Sequence, residues 1–397
     1  MKVLVINAGS SSLKFSLLQM DGERVLGDGL ADWSRSPARL RIRRGDAAPL
    51  ETTMTVQRHE EAIRRVIDAL IGGESALVSG AADIDAVGHR VVLGGTRYTQ
   101  SVYVTADVKQ AIAELSELAP LHNPANLAGI EAAETALPGV PQVAVFDTAF
   151  HAHLPEAARV YPLPYAWHEK WQLRRYGFHG LSHAYCSARA AEMLERSADS
   201  LRLIICHLGN GCSVSAVRSG VSVDTSMGFT PLEGLMMGTR SGSVDPGLLL
   251  YVLRRRGLTP EELERILNQE SGLLGVSGVS SDMREVLRAA DEKQPRARLA
   301  LDIYVHRLRQ TIGAFAATLG GVDALVFTAG IGEHAAPIRA WTCQDLGFLG
   351  LHLDAAANIH CRPDADIATP SSPGRILVIA TREDVTIARE TARLLAG

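Results

Sequence analysis

Two stretches of this chain, set two hundred residues apart, share one pattern: V-L-V-I-N-A-G-S-S-S from Val3 and L-I-I-C-H-L-G-N-G-C from Leu203. Each begins as an unbroken apolar run, as in a strand buried on both faces, so each demands a sheet with a layer on either side. Small residues then close a turn. Alternation resumes at Leu13, Phe15 and Leu17 against Lys14 and Ser16, and again over 213–217, which predicts a strand returning beside the first. Asn7 falls opposite His207 and Gly9 opposite Gly209. Such a recurrence predicts a duplicated domain, although any buried strand that ends in a glycine turn has something of this look.

The chain is long enough for two cores, with 397 residues of which 46% are hydrophobic. Pro155, Pro162 and Pro164 mark a loop-rich crossover between 150 and 170. The boundary is expected there, with 1–150 and the closing helix 384–397 in one domain and 151–383 in the other. A net charge of −4 and a pI near 6.4 leave no electrostatic footprint for nucleic acid or an anionic membrane. The five cysteines are odd in number and form no C-x-x-C pair, which disfavours a disulfide framework or a zinc ribbon and fits a reducing cytoplasm. The apolar start is too short for a signal segment, and no run approaches the ~18 residues of a membrane span. A small-molecule protein of the cytoplasm is expected.

Residues 24–55 read as further antiparallel strands and 59–71 as an amphipathic helix. Strands are expected at 85–92, 142–146, 323–328 and 375–380, and helices at 106–118, 126–136, 182–196, 295–319 and 385–395. Residues 121–124 read as a loop. Thr259-Pro260-Glu261-Glu262 is a capping box with proline at the first helical position, so a helix to Leu267 is expected.

Three apolar strands run into glycine turns, at 7–12, 207–211 and 328–333, the last of which is expected to open a helix. Exposed backbone N–H groups and the hydroxyls of Ser10 and Ser12 suit phosphate oxygens, and Lys14 adds a point charge. Neither G-x-x-x-x-G-K-[ST] nor G-x-G-x-x-G occurs, so a P-loop and a dinucleotide-binding domain are disfavoured. Arg90 ends a strand beside Gly94-Gly95, and Arg240 sits in M-G-T-R-S-G, where small neighbours let an anion approach a guanidinium. Asp147 follows a strand at the end where α/β active sites gather, and it serves equally well as a cap of the next turn. His179 has the chemistry to donate to a phosphoryl group or to fill a core position. His151-Ala152-His153, and His179 with His183, keep a metal-dependent hydrolase in view.

Taken in order, N-A-G-S-S-S-L-K (7–14), G-H-R-V-V (88–92), L-A-P-L-H-N-P (118–124), V-F-D-T-A-F-H (145–151), Y-G-F-H-G (176–180), H-L-G-N-G (207–211), D-T-S-M-G-F-T-P-L-E-G-L-M-M-G-T-R (224–240), S-G-L-L-G-V-S-G (271–278) and G-I-G-E (330–333) closely resemble the acetate kinase family. The resemblance covers nearly the whole chain. It implies two duplicated α/β domains of the actin-like (ribonuclease H-like) superfamily that includes sugar kinases and Hsp70, with ATP in the cleft between them. It also implies reversible transfer of the ATP γ-phosphoryl group to acetate, giving acetyl phosphate and ADP, in a homodimer that uses Mg²⁺, with Mn²⁺ as the alternative ion.

Carried over position by position, the resemblance has Arg90 and Arg240 binding the carboxylate and the phosphoryl group, His179 stabilising the transition state, and Asp147 as the acidic catalytic residue. Asn7 and Glu383 serve the metal. Lys14, the turn His207, Leu208, Gly209, Asn210 and Gly211, the triplet Asp282, Met283 and Arg284, and the turn Gly330, Ile331, Gly332, Glu333 and His334 hold ATP. Val92, Leu121, Phe178 and Pro231 line the methyl pocket.

Acetate, with a pKa of ~4–5, is already ionised at neutral pH, so it needs charge neutralisation and placement rather than a base. Asp147 is accordingly expected to orient an arginine or the metal, with phosphoryl transfer direct. The chain departs from the family pattern at Leu93, His334 and Arg382, the last two near nucleotide or metal. A kinase of propionate or another short-chain acid is the nearest alternative, with Val92 arguing for the smaller pocket. A non-catalytic nucleotide-binding module is a second one.

Overall fold

The computed structural model describes residues 1–34, 37–54, 59–72, 76–120 and 122–397, without the side chains of residues 59 and 60. The chain divides into two compact units, Met1–Ala152 with Arg382–Gly397, and His153–Thr381.

In the first unit the opening apolar run is the strand Lys2–Ala8, antiparallel to Ser12–Gln19 and parallel to Ala86–Val91. A meander of Arg24–Asp32, Ala38–Arg44 and Leu50–Met54 extends one side. Gln142–Phe146 extends the other side in parallel, and the antiparallel edge strand Val102–Tyr103 completes eight. Val3, Leu4, Val5 and Ile6 are all at most 3% exposed. Full burial of each such side chain contributes about 1.5–3 kcal/mol. On one face Leu4, Ile6, Leu13 and Phe15 pack with Ile63, Val66 and Ile67 of the amphipathic helix His59–Ile71. On the other lies the closing helix Glu383–Ala396. It comes so near that a Cβ on Gly88 would lie 2.7 Å from Ile387 Cγ2 and closer still to Thr391 Oγ1, which is why a glycine interrupts that strand.

The second unit has a six-stranded sheet in the order Val221–Thr225, Cys212–Arg218, Arg202–Leu208, Ala324–Thr328, Arg375–Val378 and Ala365–Asp366. Its first three strands are antiparallel, the next two run parallel to the first, and an antiparallel strand forms the edge. From Arg24–Asp32 inward the first sheet has the same order and the same directions, so the repeated motif is the visible part of a repeated topology. The hairpins agree in plan, with turns of four and three residues. Ala8 pairs with Leu13 across one turn and Leu208 with Cys212 across the other. Gly9 N donates to Ser12 O at 2.8 Å, and Gly209 N to Gly211 O at 3.1 Å.

Pro295–Leu319 forms as its spacing predicts, burying Leu301, Tyr304, Leu308 and Ile312 and ending at Gly320, whose φ of +70° closes the helix. Both halves of the Thr259–Glu262 capping box are made, but the helix runs Pro260–Arg265 and continues as one π-helical turn, Ile266–Glu270. One expectation needs correction. The helix read from 126 begins at Asn123, because Pro124 sits in its first turn, where a missing N–H costs nothing. After Thr328 the helix expected to open at the glycines forms as Ala329–His334, and the left-handed residue there is Ala329, with φ 63°.

Candidate active site

In the first unit Arg90 stands on Ala86–Val91, and Asp147 follows directly on the neighbouring parallel strand Gln142–Phe146. Arg90 Nη2 donates to Asp147 Oδ2 at 2.8 Å, and Arg90 Nε lies 3.9 Å from Glu383 Oε2. Asp147 is 1% exposed. Burial opposes the charge on Arg90, but the two carboxylates outweigh it and hold its pKa above the usual value. The guanidinium is thus a fixed cation whose orientation is set by Asp147.

What anchors the backbone around this pair was not evident from motif reading. Two fully or nearly buried asparagines on the helix Asn123–Ala136 pin the strand ends. Asn126 Oδ1 accepts from Val92 N at 3.0 Å while its Nδ2 donates to Ala8 O at 2.7 Å. Asn123 does the same for Leu93, accepting from its N at 3.2 Å and donating to its O at 3.1 Å. Each satisfies buried backbone groups that the sheet leaves unpaired. The spacing N-P-A-N, its first two residues read as loop and its last as the start of a helix, was the available signal.

In the second unit His179 adopts a left-handed conformation, φ 58° and ψ 25°, as N-cap of Gly180–Met193. For a residue with a Cβ this costs on the order of 1–3 kcal/mol, and such strain collects at functional positions. Its ring stacks on His207, with centroids 4.1 Å apart. Arg240 reaches the same place: a Cβ on Gly211 would lie 3.4 Å from Arg240 Nη1 and 3.5 Å from His179 Nε2. Arg240 donates to Pro231 O at 3.2 Å, and among the described residues no carboxylate pairs with it. Burial lowers its pKa. Among the described residues Arg240 is therefore a sheltered cation with neutral partners only, an arrangement that favours arrival of an anion.

The loop that carries Arg240 is held by a residue the motifs did not single out. Arg175 Nη1 donates to the carbonyls of Thr225, Ser226 and Met227 at 3.0–3.2 Å, and its Nη2 to Glu233 Oε1 at 2.7 Å. Glu233 also accepts from the Tyr161 hydroxyl.

The three segments expected to hold ATP meet in this unit. A Cβ on Gly209 would lie 3.8 Å from Ala329 Cβ, and one on Gly238 would lie 3.0 Å from Ser281 O and press on Asn210 Oδ1. His207 and Leu208 end their strand, with His207 paired to Thr328. Asp282 caps the helix Met283–Asp291, accepting from Arg284 N at 2.8 Å, with Met283 buried and Arg284 exposed. Gly330, Ile331, Gly332, Glu333 and His334 lie in the short helix, whose end is secured by Arg339. That arginine, 1% exposed, donates to Gly332 O, Glu333 O and both oxygens of Asn358. No spacing in the sequence marks it.

Other expected residues stand differently. Lys14, opposite Asn7 in the hairpin, is exposed and lines a hollow of about 920 Å³ with Arg24, Arg41 and Arg382, whose lining includes none of Asn7, Arg90 and Asp147. Ser10 is exposed and Ser12 half-buried in the first turn. Val92 and Phe178 are buried and Pro231 is half-buried, while Leu121 lies outside the described residues. Among the described residues no cluster of three His, Cys, Asp or Glu is placed to hold a metal. His179 and His183 both turn a ring nitrogen to Ser213 instead.

A model of the Acetokinase family matches residues 2–389. A protein of Gloeobacter violaceus named acetate kinase is 53% identical over 407 residues, covering 98% of each chain. The structure is similar to that of Porphyromonas gingivalis acetate kinase, with a TM-score of 0.94 at 42% identity, and to that of a propionate kinase from Francisella tularensis, with 0.92 at 39%; each covers 99% of both chains. Likeness of this extent, in sequence and in three dimensions, means that the chain belongs to the Acetokinase family.

Proposed function

We propose that this protein transfers the γ-phosphoryl group of ATP to acetate, reversibly, giving acetyl phosphate and ADP. The observation that carries the reading is Arg240, sheltered beside His179 over Gly211 with no carboxylate partner among the described residues. An arginine so placed is ready for the equatorial oxygens of a transferring phosphoryl group, and His179 adds a hydrogen-bond donor. Arg90 takes the acetate carboxylate. Asp147, already committed to Arg90, orients that guanidinium rather than removing a proton, because acetate is a nucleophile without a base. Transfer is direct, and inversion at phosphorus is the expected stereochemistry.

The carboxylate of Glu383 and the amide of Asn7 are hard oxygen donors of the kind Mg²⁺ takes alongside water and phosphate oxygens, and Mn²⁺ accepts the same set. An ion held there would offset phosphate charge. The turn 207–211, Asp282, Met283, Arg284 and the segment 330–334 hold the nucleotide, with Lys14 at the first hairpin. Val92, Phe178, Pro231 and Leu121 bound the methyl pocket. The working form is a homodimer in the cytoplasm: the helix Pro246–Arg256 buries none of its residues and leaves Leu248, Leu250 and Tyr251 about half exposed, and all five cysteines are unpaired.

Likeness to a propionate kinase supports a second reading in which propionate is preferred. One extra methylene is worth only about 1–3 kcal/mol of discrimination. ATP-dependent hydroxamate formation across acetate, propionate and butyrate tests both: highest kcat/KM on acetate is expected, and a higher value on propionate selects the alternative. No product from any of the three acids would overturn the proposal.

A further inference from the structure

Behind the turn 209–211 two histidines share one hydroxyl. Ser213 Oγ lies 2.9 Å from His179 Nδ1 and 2.7 Å from His183 Nε2, and neither Ser213 nor His183 has exposed surface. A serine hydroxyl has one proton, so it donates to one imidazole and accepts from the other. The two neutral rings therefore cannot choose tautomers independently. With a proton on His183 Nε2, Ser213 turns its own proton to His179 Nδ1, and His179 carries its proton on Nε2. With His183 Nε2 bare, the His179 proton moves to Nδ1 and its Nε2 is a lone pair.

Only the first arrangement suits the chemistry. Nε2 is on the side of His179 that approaches Gly211 and Arg240, where a phosphoryl oxygen would arrive, and a lone pair there would repel it. Charging the ring instead would set an imidazolium against the Arg240 guanidinium and the stacked His207, with His183 close behind Ser213. A neutral ring with an assigned proton avoids that repulsion. His207 has a similar backing: its Nδ1 meets Ser182 Oγ at 2.8 Å, which meets Thr381 Oγ1 at 3.0 Å.

We propose that Ser213, oriented by His183, is a positioning residue that holds His179 in the Nε2–H tautomer for donation to the transferring phosphoryl group. This rests on the role given to His179 above. Two-bond ¹H–¹⁵N correlation spectra of the full-length protein labelled with ¹⁵N-histidine, with His179 assigned from a His179→Gln sample, report which nitrogen carries the proton. The wild type should show Nε2 protonated and Nδ1 bare. Ser213→Ala should shift His179 toward a tautomer mixture and lower kcat by about tenfold, less than the ~10²–10³ of deleting a donor outright, with KM for acetate little changed. His183→Gln, whose amide N–H still serves Ser213, should retain the tautomer and most of kcat. A wild-type His179 protonated on Nδ1, or a Ser213→Ala protein with unaltered tautomer, would overturn the proposal whatever its activity. A wild type inactive on every acid yet showing the Nε2–H form would leave the relay standing and remove the kinase reading alone.

Discussion

Arg90 and Asp147 emerge at the same end of adjacent parallel strands, and the 2.8 Å hydrogen bond between them leaves the carboxylate 1% exposed. Removing one partner of a buried ion pair strands the other, at a cost of roughly 3–5 kcal/mol. Asp147→Asn keeps an acceptor for Arg90 and so should lose far less stability than Asp147→Ala, while turnover falls on the order of 10²-fold as the guanidinium loosens. Thermal melts and steady-state rates on both variants check this. If Asp147 were a general base instead, the wild type would show an acid-to-alkaline rise in kcat that the Asn variant lacks.

Arg240 presents the opposite balance. Because burial works against its charge and no carboxylate among the described residues offsets that, Arg240→Ala should hold or raise the melting temperature. Turnover should nevertheless fall by about three to five decades, by analogy with an arginine that stabilises phosphoryl-transfer charge. Arg240→Lys should recover only part, since an ammonium lacks the planar fork. A loss below tenfold in Arg240→Ala would take the residue out of the site.

Gly238 tests the nucleotide turn. A methyl there would press on Asn210 Oδ1 and on Ser281 O, at 3.0 Å, so Gly238→Ala should displace the 209–211 turn. KM for ATP should rise on the order of tenfold or more, with KM for acetate moving much less. Initial rates at varied ATP and varied acetate separate the two.

His89 supplies a pH dependence. It is 1% exposed and bonded to Gln142 Oε1 at 2.7 Å, and burial pushes its pKa down from 6.5 to about 4. Between those values the unfolded chain binds a proton that the folded chain refuses. Stability is therefore full above pH 6.5 and declines on acidification toward pH 4, by roughly 3 kcal/mol over the window. Denaturant midpoints at pH 7 and pH 5 should show the decline, and His89→Gln, which keeps a donor without titrating, should flatten it.

The helix Pro246–Arg256 tests assembly. Tyr251→Glu and Leu248→Glu place a charge on apolar surface that is about half exposed in one chain. Sedimentation velocity should show the wild type as a dimer and the double variant as a monomer, with the fold retained by circular dichroism.

How much could be read from the chain alone follows from what kind of interaction each residue makes. Apolar periodicity is local, so the buried strand 3–6, the meander after it and the helix Pro295–Leu319 were legible, and the repeated strand-turn-strand foretold two sheets of one topology. Glycines and strand ends drew attention to Arg90, Asp147, His179 and Arg240, whose roles came from the family resemblance and stand as proposals. The misreading fell where a local signal has two meanings: Pro124, read as part of a loop, stands in the first turn of a helix.

By itself, then, the sequence determined the two-fold sheet plan and the cast of charged and imidazole side chains. Tertiary structure alone decided how they are held: Asn126 bridging Ala8 and Val92, Arg175 gathering the carbonyls 225–227, Arg339 closing the segment at 334, and Ser213 standing between His179 and His183. The reason is physical. A buried apolar face repeats with the period of its own strand or helix, whereas a buried polar group takes whichever partner the packed chain brings within 3 Å, and that partner comes from distant sequence.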